Sequence, residues 1–253
     1  MDRWRNKVAI VTGASFGIGA AIAEYLVKEE VLVVGLARSQ DKLKELSKKL
    51  NKDKTYFHFY VTDITKEEDI LKAFKWTIDT LGPIHILINN AGITRFSGLT
   101  DGKTNTWKEI LDTNVMGLCI ATREAIQNMK ENNVDGHIIH INSVAGHSTP
   151  APMNVYGASK YAVTSLTESL RLQLVSEKSK IKVTSISPGY VETNLLTSAF
   201  AQSELPDPQM AEEILKMPAL QSEDIAESVL YTLSTPPHVQ VHELIIKPVG
   251  ERF

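Results

Sequence analysis

Seven short apolar runs alternate with helix-length amphipathic stretches along this chain, and that alternation leaves few folds open to it. KVAIVTG (7–13), VLVVGLA (31–37), YFHFYV (56–61), IHILINN (84–90), GHIIHINS (136–143), IKVTSIS (181–187) and HELIIKP (242–248) are the apolar runs, several of them continuous in Val and Ile. A strand wetted on one face alternates apolar with polar residues; a strand covered on both faces does not. The stretches 19–30 and 41–50, and those near 66–80, 104–131, 154–176 and 222–234, read as helices. Strand and helix in turn predict an α/β fold: a doubly wound parallel sheet of about seven strands with helices on both faces. No linker, repeat or low-complexity tract divides the chain, so residues 1–253 are expected to form a single domain. Residues 190–220 stand apart. Pro206, Pro208 and Pro218 break them into short pieces, which predicts an insertion over the edge of the sheet.

Composition narrows the function classes. A chain of 253 residues, 43% hydrophobic and 23% charged, can bury an ample core. Its net charge of −3 gives no basic field to draw nucleic acid or an anionic membrane. No run approaches the ~18 apolar residues of a membrane span, and the start MDRWRNKVAIVTG lacks a leader-like apolar stretch. The single cysteine, Cys119, lies in the apolar VMGLCIA, reads as a buried thiol and forms no internal disulfide. A reducing, cytoplasmic location is expected. None of the seven histidines falls in metal-ligand order, and His137 and His140 are oddly spaced for one strand face, so no metal site is expected.

The loop TGASFGIG, Thr12 to Gly19, joins the first strand to the first helix. Gly13, Gly17 and Gly19 permit a tight turn and close backbone approach, and the helix start offers free N–H groups to a diphosphate. Its spacing is G-x-x-x-G-x-G, not the general G-x-G-x-x-G, so the position after a first strand carries the inference. The second strand ends GLARSQ: Arg38 and Ser39 stand where a ribose would lie, with no carboxylate before Asp41. A guanidinium pairs with a 2′-phosphate that an acid would repel, which favours NADP over NAD. The plainer alternative is a solvated arginine at a strand end.

Other strand ends carry polar, turn-forming residues: Asn89, Asn90 and Gly92 in INNAG, Ser143 in INSVAG, and the Pro-Gly turn of SPGYVET (187–193). In VYGASKYA, Tyr156 precedes Lys160 by one helical turn. The pair is either a snorkelling lysine beside a half-buried ring or a phenol whose pKa an ammonium lowers toward neutrality.

TGASFGIG, NNAG, Asn114 in LDTNVMG, Ser143, YGASK and SPGYVET, in this order, resemble the short-chain dehydrogenase/reductase superfamily over nearly the whole chain. More narrowly, MDRWRNKVAIVTGAS, TREAIQNMKENNVDGHIIHINSVAGH and LSTPPHVQVHELIIKP resemble the branch holding dehydrogenase/reductase SDR family member 11 and the insect farnesol dehydrogenases. The resemblance implies a Rossmann fold and an NADP(H)-dependent alcohol dehydrogenase or carbonyl reductase. It implies that Tyr156 is the general acid and base, Lys160 lowers its pKa and bonds the nicotinamide ribose, Ser143 holds the substrate oxygen, and Asn114 supports a water relay. The implied cofactor contacts are Gly13, Ser15, Phe16, Gly17, Ile18 and Gly19 in the first loop, then Arg38, Ser39, Asp63 and Ile64. Asn90, Ala91, Gly92, Tyr156, Lys160, Pro188, Gly189, Val191 and Thr193 complete them. Phe16 departs from the pattern, since many NADP-using relatives carry a basic residue there; Arg38 is left to supply most of the 2′-phosphate contact. Beside Ser143, the apolar Phe96, Val144, Met153, Tyr190, Leu195, Leu196 and Phe200 either suit a lipophilic substrate, an isoprenoid or steroid alcohol or its carbonyl, under a lid at 190–220, or merely pack that lid against the sheet. A homodimer or homotetramer is implied, pairing helices near 104–131 and 154–176. A non-catalytic NADP(H)-binding regulator is the alternative reading. A sugar-nucleotide epimerase shares the Tyr-x-x-x-Lys pair, but this chain is short for one.

Overall fold

The computed structural model describes residues 1–52, 54–148, 153–201, 212 and 216–251. Seven strands form one sheet: β1 (Val8–Thr12), β2 (Leu32–Ala37), β3 (Phe57–Val61), β4 (Ile84–Asn89), β5 (His137–Ile141), β6 (Lys182–Pro188) and β7 (Glu243–Ile246). Their order is β3-β2-β1-β4-β5-β6-β7, and every pairing is parallel. All carboxyl ends therefore open on one edge. The chain winds outward from β1 to β3, then crosses back to β4. The β1/β4 junction is thus the switch point where open α/β sheets leave a crevice for a ligand.

The continuous apolar runs follow from this layering. Along β1, Ala9 and Val11 enter one core while Ile10 enters the other; along β4, Ile86 and Ile88 part from Leu87 in the same way. The first core holds Ile22 and Leu26 of α1 (Gly17–Lys28), Leu43 of α2 (Gln40–Leu50), and residues of the last helix such as Val229 and Leu233. The second holds Ile70 and Phe74 of α3 (Glu67–Leu81) and residues between 121 and 174. With a core on each face, neither parity of the pleat meets water in the central strands, while the edge strands β3 and β7 expose Val61 and Ile245.

The expected helix over 104–131 is interrupted. α4 (Thr104–Leu111) runs into a π-helical turn (Asp112–Met116), and α5 (Gly117–Glu131) follows. The wider turn inserts a residue and re-aims Asn114 out of the α-helical sequence of side chains. A Cβ on Gly117 would stand 2.6 Å from the Ile64 carbonyl oxygen, so α5 starts where only glycine fits against the β3–α3 loop. α6 spans Asn154–Ser176, as the spacing predicts. Beyond β6 lie α7 (Asn194–Ala201) and α8 (Ser222–Ser234). Two backbone hydrogen bonds tie the ends of the 190–220 segment: Glu192 N–H to the Leu220 carbonyl and Leu220 N–H to that of Tyr190, each 2.8 Å. Pro206 and Pro208 lie outside the described residues. Among the described residues no helix is long and apolar enough to cross a membrane.

Candidate active site

The glycine loop is clamped to the end of β4. The Thr12 hydroxyl accepts from the Asn90 and Ala91 N–H groups, both at 3.0 Å. In return Asn90 Nδ2 donates to the carbonyls of Thr12 (2.9 Å) and Gly13 (3.2 Å). Gly13, at φ +68°, lies so close to this clamp that a Cβ would meet Ala91 Cα and Asn90 Nδ2 at 2.9 Å. Gly17, at φ +57°, opens α1, with Phe16 as its N-cap. A phenyl ring accepts no hydrogen bond from backbone, so no side chain caps the amides of α1's first turn. They face a cleft of about 260 Å³ at the switch point.

Most of the expected cofactor contacts line this one cleft. Gly13, Ser15, Phe16, Gly17, Ile18 and Gly19 form one wall; Arg38, Ser39, Asp63 and Ile64 close one end. Asn90, Ala91 and Gly92 form the floor, and Tyr156, Lys160 and Thr193 stand at the other end with Leu195. Pro188, Gly189 and Val191 do not line it. Pro188 and Gly189 are held against β7, where Gly189 N–H donates to Ile246 at 2.7 Å, and Val191 bridges to Leu220. At the Arg38 end stands Asp63, whose carboxylate feels the Arg38 charge and whose Oδ1 accepts from Thr65 N–H (3.1 Å) and the Thr65 hydroxyl (2.8 Å). A donor-rich loop, uncapped helical amides and a guanidinium fit a phosphorylated dinucleotide.

At the other end Tyr156 and Lys160 share one face of α6, both buried, with Lys160 Nζ 5.8 Å from the phenol ring centre. Nζ donates to the Ile141 carbonyl at 3.0 Å, a contact the sequence does not signal. Burial pushes Lys160 down to about 8. The expectation for Tyr156 is reversed. Burial raises its pKa, and the hydrogen bond from Ser143 only opposes that rise; Lys160 is not what decides it. The phenol of the protein alone is a protonated donor at neutral pH. Ser143 precedes a 3₁₀ turn (Val144–Gly146), where its oxygen accepts from Ala145 N–H at 3.1 Å, leaving its own O–H to donate.

The π turn delivers Asn114 to the same place. Its Oδ1 accepts from Ile93 N–H (2.8 Å), while Nδ2 donates to the Ile93 carbonyl (2.9 Å) and the Ser159 hydroxyl (3.0 Å). Ser159 in turn donates to the Tyr156 carbonyl at 2.6 Å, so one buried hydroxyl links the π turn to the first turn of α6. Ser159 and the clamp residue Thr12 escape a reading for chemistry. Their only signal is a hydroxyl in an apolar helix or strand interior, which must find a partner. A Cβ on Gly92 would lie 3.5 Å from Asn114 Oδ1 and 3.9 Å from Lys160 Nζ; the missing side chain leaves a gap between them.

The apolar residues expected at a substrate divide. Phe96 is fully buried and packs against Phe200 of α7, ring centres 4.7 Å apart. Val144, Met153, Tyr190, Leu195, Leu196 and Phe200 are partly exposed. His137 and His140 lie deep in the sheet instead: His137 Nε2 meets Thr184 Oγ1 (2.8 Å), and His140 sits between Thr122 and Thr167.

A family profile described as "short chain dehydrogenase" matches residues 7–204. A farnesol dehydrogenase of Aedes aegypti is 49% identical over 100% of both chains. Dehydrogenase/reductase SDR family member 11 of Bos taurus is 45% identical over 99% of each. The solved closed form of a serine dehydrogenase complexed with NADP+ superposes with a TM-score of 0.88 at 30% identity, covering 97% of this chain and 96% of that one. Profile, full-length relatives and sheet topology agree: the chain belongs to the short-chain dehydrogenase family of oxidoreductases.

Proposed function

We propose that the protein is an NADP(H)-dependent oxidoreductase that interconverts a lipophilic alcohol with its aldehyde or ketone, a farnesol-like isoprenoid or a steroid. One observation carries the reading: Tyr156 and Lys160 line a cleft that also presents Arg38, with Ser143 hydrogen-bonded to Tyr156 and Asn114 facing Lys160 across the gap over Gly92. Bound nicotinamide supplies or accepts the hydride. In reduction the substrate oxygen gains negative charge. The Ser143 hydroxyl donates to it and Tyr156 Oη delivers its proton. In oxidation Tyr156 takes that proton back. The burial that keeps the phenol protonated suits the first direction at neutral pH. Lys160 holds positive charge beside the phenol as its proton leaves, and the gap over Gly92 gives room for a water between Lys160 and Asn114 to return one.

The substrate class rests on the half-buried Tyr190, Leu195, Leu196 and Phe200, on residues 190–220 acting as a lid, and on the likeness to a farnesol dehydrogenase. The test follows nicotinamide absorbance with farnesol, farnesal, a 17-ketosteroid and polyols, wild type beside Tyr156→Phe. Tyr156→Phe is expected to lower turnover by about 10²–10⁴-fold and to leave NADPH affinity nearly unchanged. Retained turnover in that variant overturns the role of Tyr156. A preference for polyols overturns the substrate class, and NADPH binding with no turnover of any carbonyl supports the regulator.

A further inference from the structure

Phe16 stands at the cleft mouth with 44% of its surface exposed, in the loop position where a base would face a 2′-phosphate. The ring is not bare. Lys42 Nζ lies 4.7 Å from its centre, within the range of a cation–π contact. Lys42 is the third residue of α2, four residues beyond Arg38, and both side chains are exposed.

Three features bear on this lysine. Several exposed lysines are neutralised, Lys28 and Lys49 on Glu24, Lys75 on Asp79 and Lys130 on Glu177, whereas Lys42 has its charge free beside the cleft mouth. Among the described residues neither Arg38 nor Lys42 makes an ion pair. Next, a cation in the first turn of a helix opposes the helix dipole, which favours negative charge there; Asp41 is the acid of that turn, and Lys42 stands beside it. Last, Ser39, the N-cap of α2, makes no side-chain cap, so the first-turn amides add to the local positive potential. Asp63, on which Arg38 acts, and Asp41 offset part of this positive charge, and a bound dianion relieves the rest.

We infer that Lys42 is the second cation of the 2′-phosphate site, and that Phe16 is a positioning residue holding the lysine over the rim. The Phe16–Lys42 pair takes the place of a basic side chain in the glycine loop. The inference rests on the NADP(H) reading above and assigns the discrimination to two residues besides Arg38.

The experiment measures NADPH and NADH dissociation constants from nicotinamide fluorescence on binding, without turnover. Wild type is read first; equal affinity for the two cofactors overturns the NADP(H) reading itself, and this inference with it. Given a wild-type preference for NADPH, Lys42→Ala is expected to weaken NADPH about fivefold to tenfold and NADH less than about twofold, while Lys42→Arg retains the preference. Phe16→Ala is expected to weaken NADPH about threefold, and Phe16→Tyr, which keeps the ring face, to restore it. The double variant Phe16→Ala/Lys42→Ala should bind NADPH no worse than Lys42→Ala alone, since the ring acts through the lysine. A preference unchanged by Lys42→Ala, or equal losses for both cofactors, overturns the role of Lys42 and leaves the NADP(H) reading standing. Additive losses in the double variant overturn the positioning role of Phe16.

Discussion

At His140, deep in β5, the chain of donors runs in one direction. Asn89 Nδ2 donates to Thr122 Oγ1, whose hydroxyl faces His140 Nε2 at 3.3 Å; Nδ1 meets Thr167 Oγ1 at 2.8 Å, and Thr167 donates onward to the Val163 carbonyl. Thr167 uses its one proton on Val163, so Nδ1 carries a proton, and a neutral imidazole then lets Nε2 accept from Thr122. Burial drives His140 down to about 4 and His137 to about 3, from an ordinary 6.5. Below pH 6.5 the unfolded chain takes up protons that the folded chain refuses. Stability is therefore complete above that pH and falls toward pH 4, each histidine adding up to about 1.4 kcal/mol per pH unit. Thermal melts from pH 4 to 8 should show this slope, and His140→Gln should flatten it while lowering stability at pH 7.5. An equally steep acid limb in the variant assigns it to the carboxylates instead. Lys160 acts in the same sense at the alkaline end. Its folded value near 8 lies below its ordinary 10.5, so its burial cost fades as pH rises between the two.

At the scale of elements, Gly117 sets two effects against each other. Alanine raises helix propensity by about 1 kcal/mol. A Cβ 2.6 Å from the Ile64 carbonyl costs about 1–3 kcal/mol as overpacking. The second term wins because the obstacle is backbone. Gly117→Ala should lower the urea midpoint and weaken cofactor binding, as α5 begins beside Ile64 in the cleft and Asn114 lies one turn away. An unchanged midpoint would mean that the β3–α3 loop yields freely. This junction also marks what the sequence hides. Strand and helix periods locate the elements to within a residue or two, because burial on both faces imprints apolar runs that need no partner to be recognised. A single π turn changes the period for five residues inside an otherwise regular 28-residue stretch, and no pattern of apolar positions registers it. The rise in the Tyr156 pKa is hidden for a different reason: an ammonium four residues away is local, whereas desolvation is set by distant elements packed around the ring. The Phe16–Lys42 contact joins a loop and a helix that sequence places 26 residues apart.

For the whole molecule, the all-parallel sheet gathers a glycine loop, a guanidinium and the Tyr156–Lys160 pair from segments spread over most of the chain. A ligand that bridges those segments stabilises everything between them. NADPH at a hundred times its dissociation constant should add about 2.7 kcal/mol, or about 5–10 °C in Tm for a chain of this size. Differential scanning with NADPH and with NADH at equal concentration checks it; the same shift from both would count against phosphate recognition. Two hydrogen bonds set the ends of residues 190–220 side by side, Tyr190 and Glu192 against Leu220. Tyr190 N–H also donates to Glu251, and Phe200 packs on Phe96, so the first part of the segment is anchored to the frame. Doubling the length of such a loop costs only about 0.6 kcal/mol in closure entropy. Residues can therefore be added or removed between Glu192 and Leu220 at little entropic cost while the pinned ends keep their place beside the sheet.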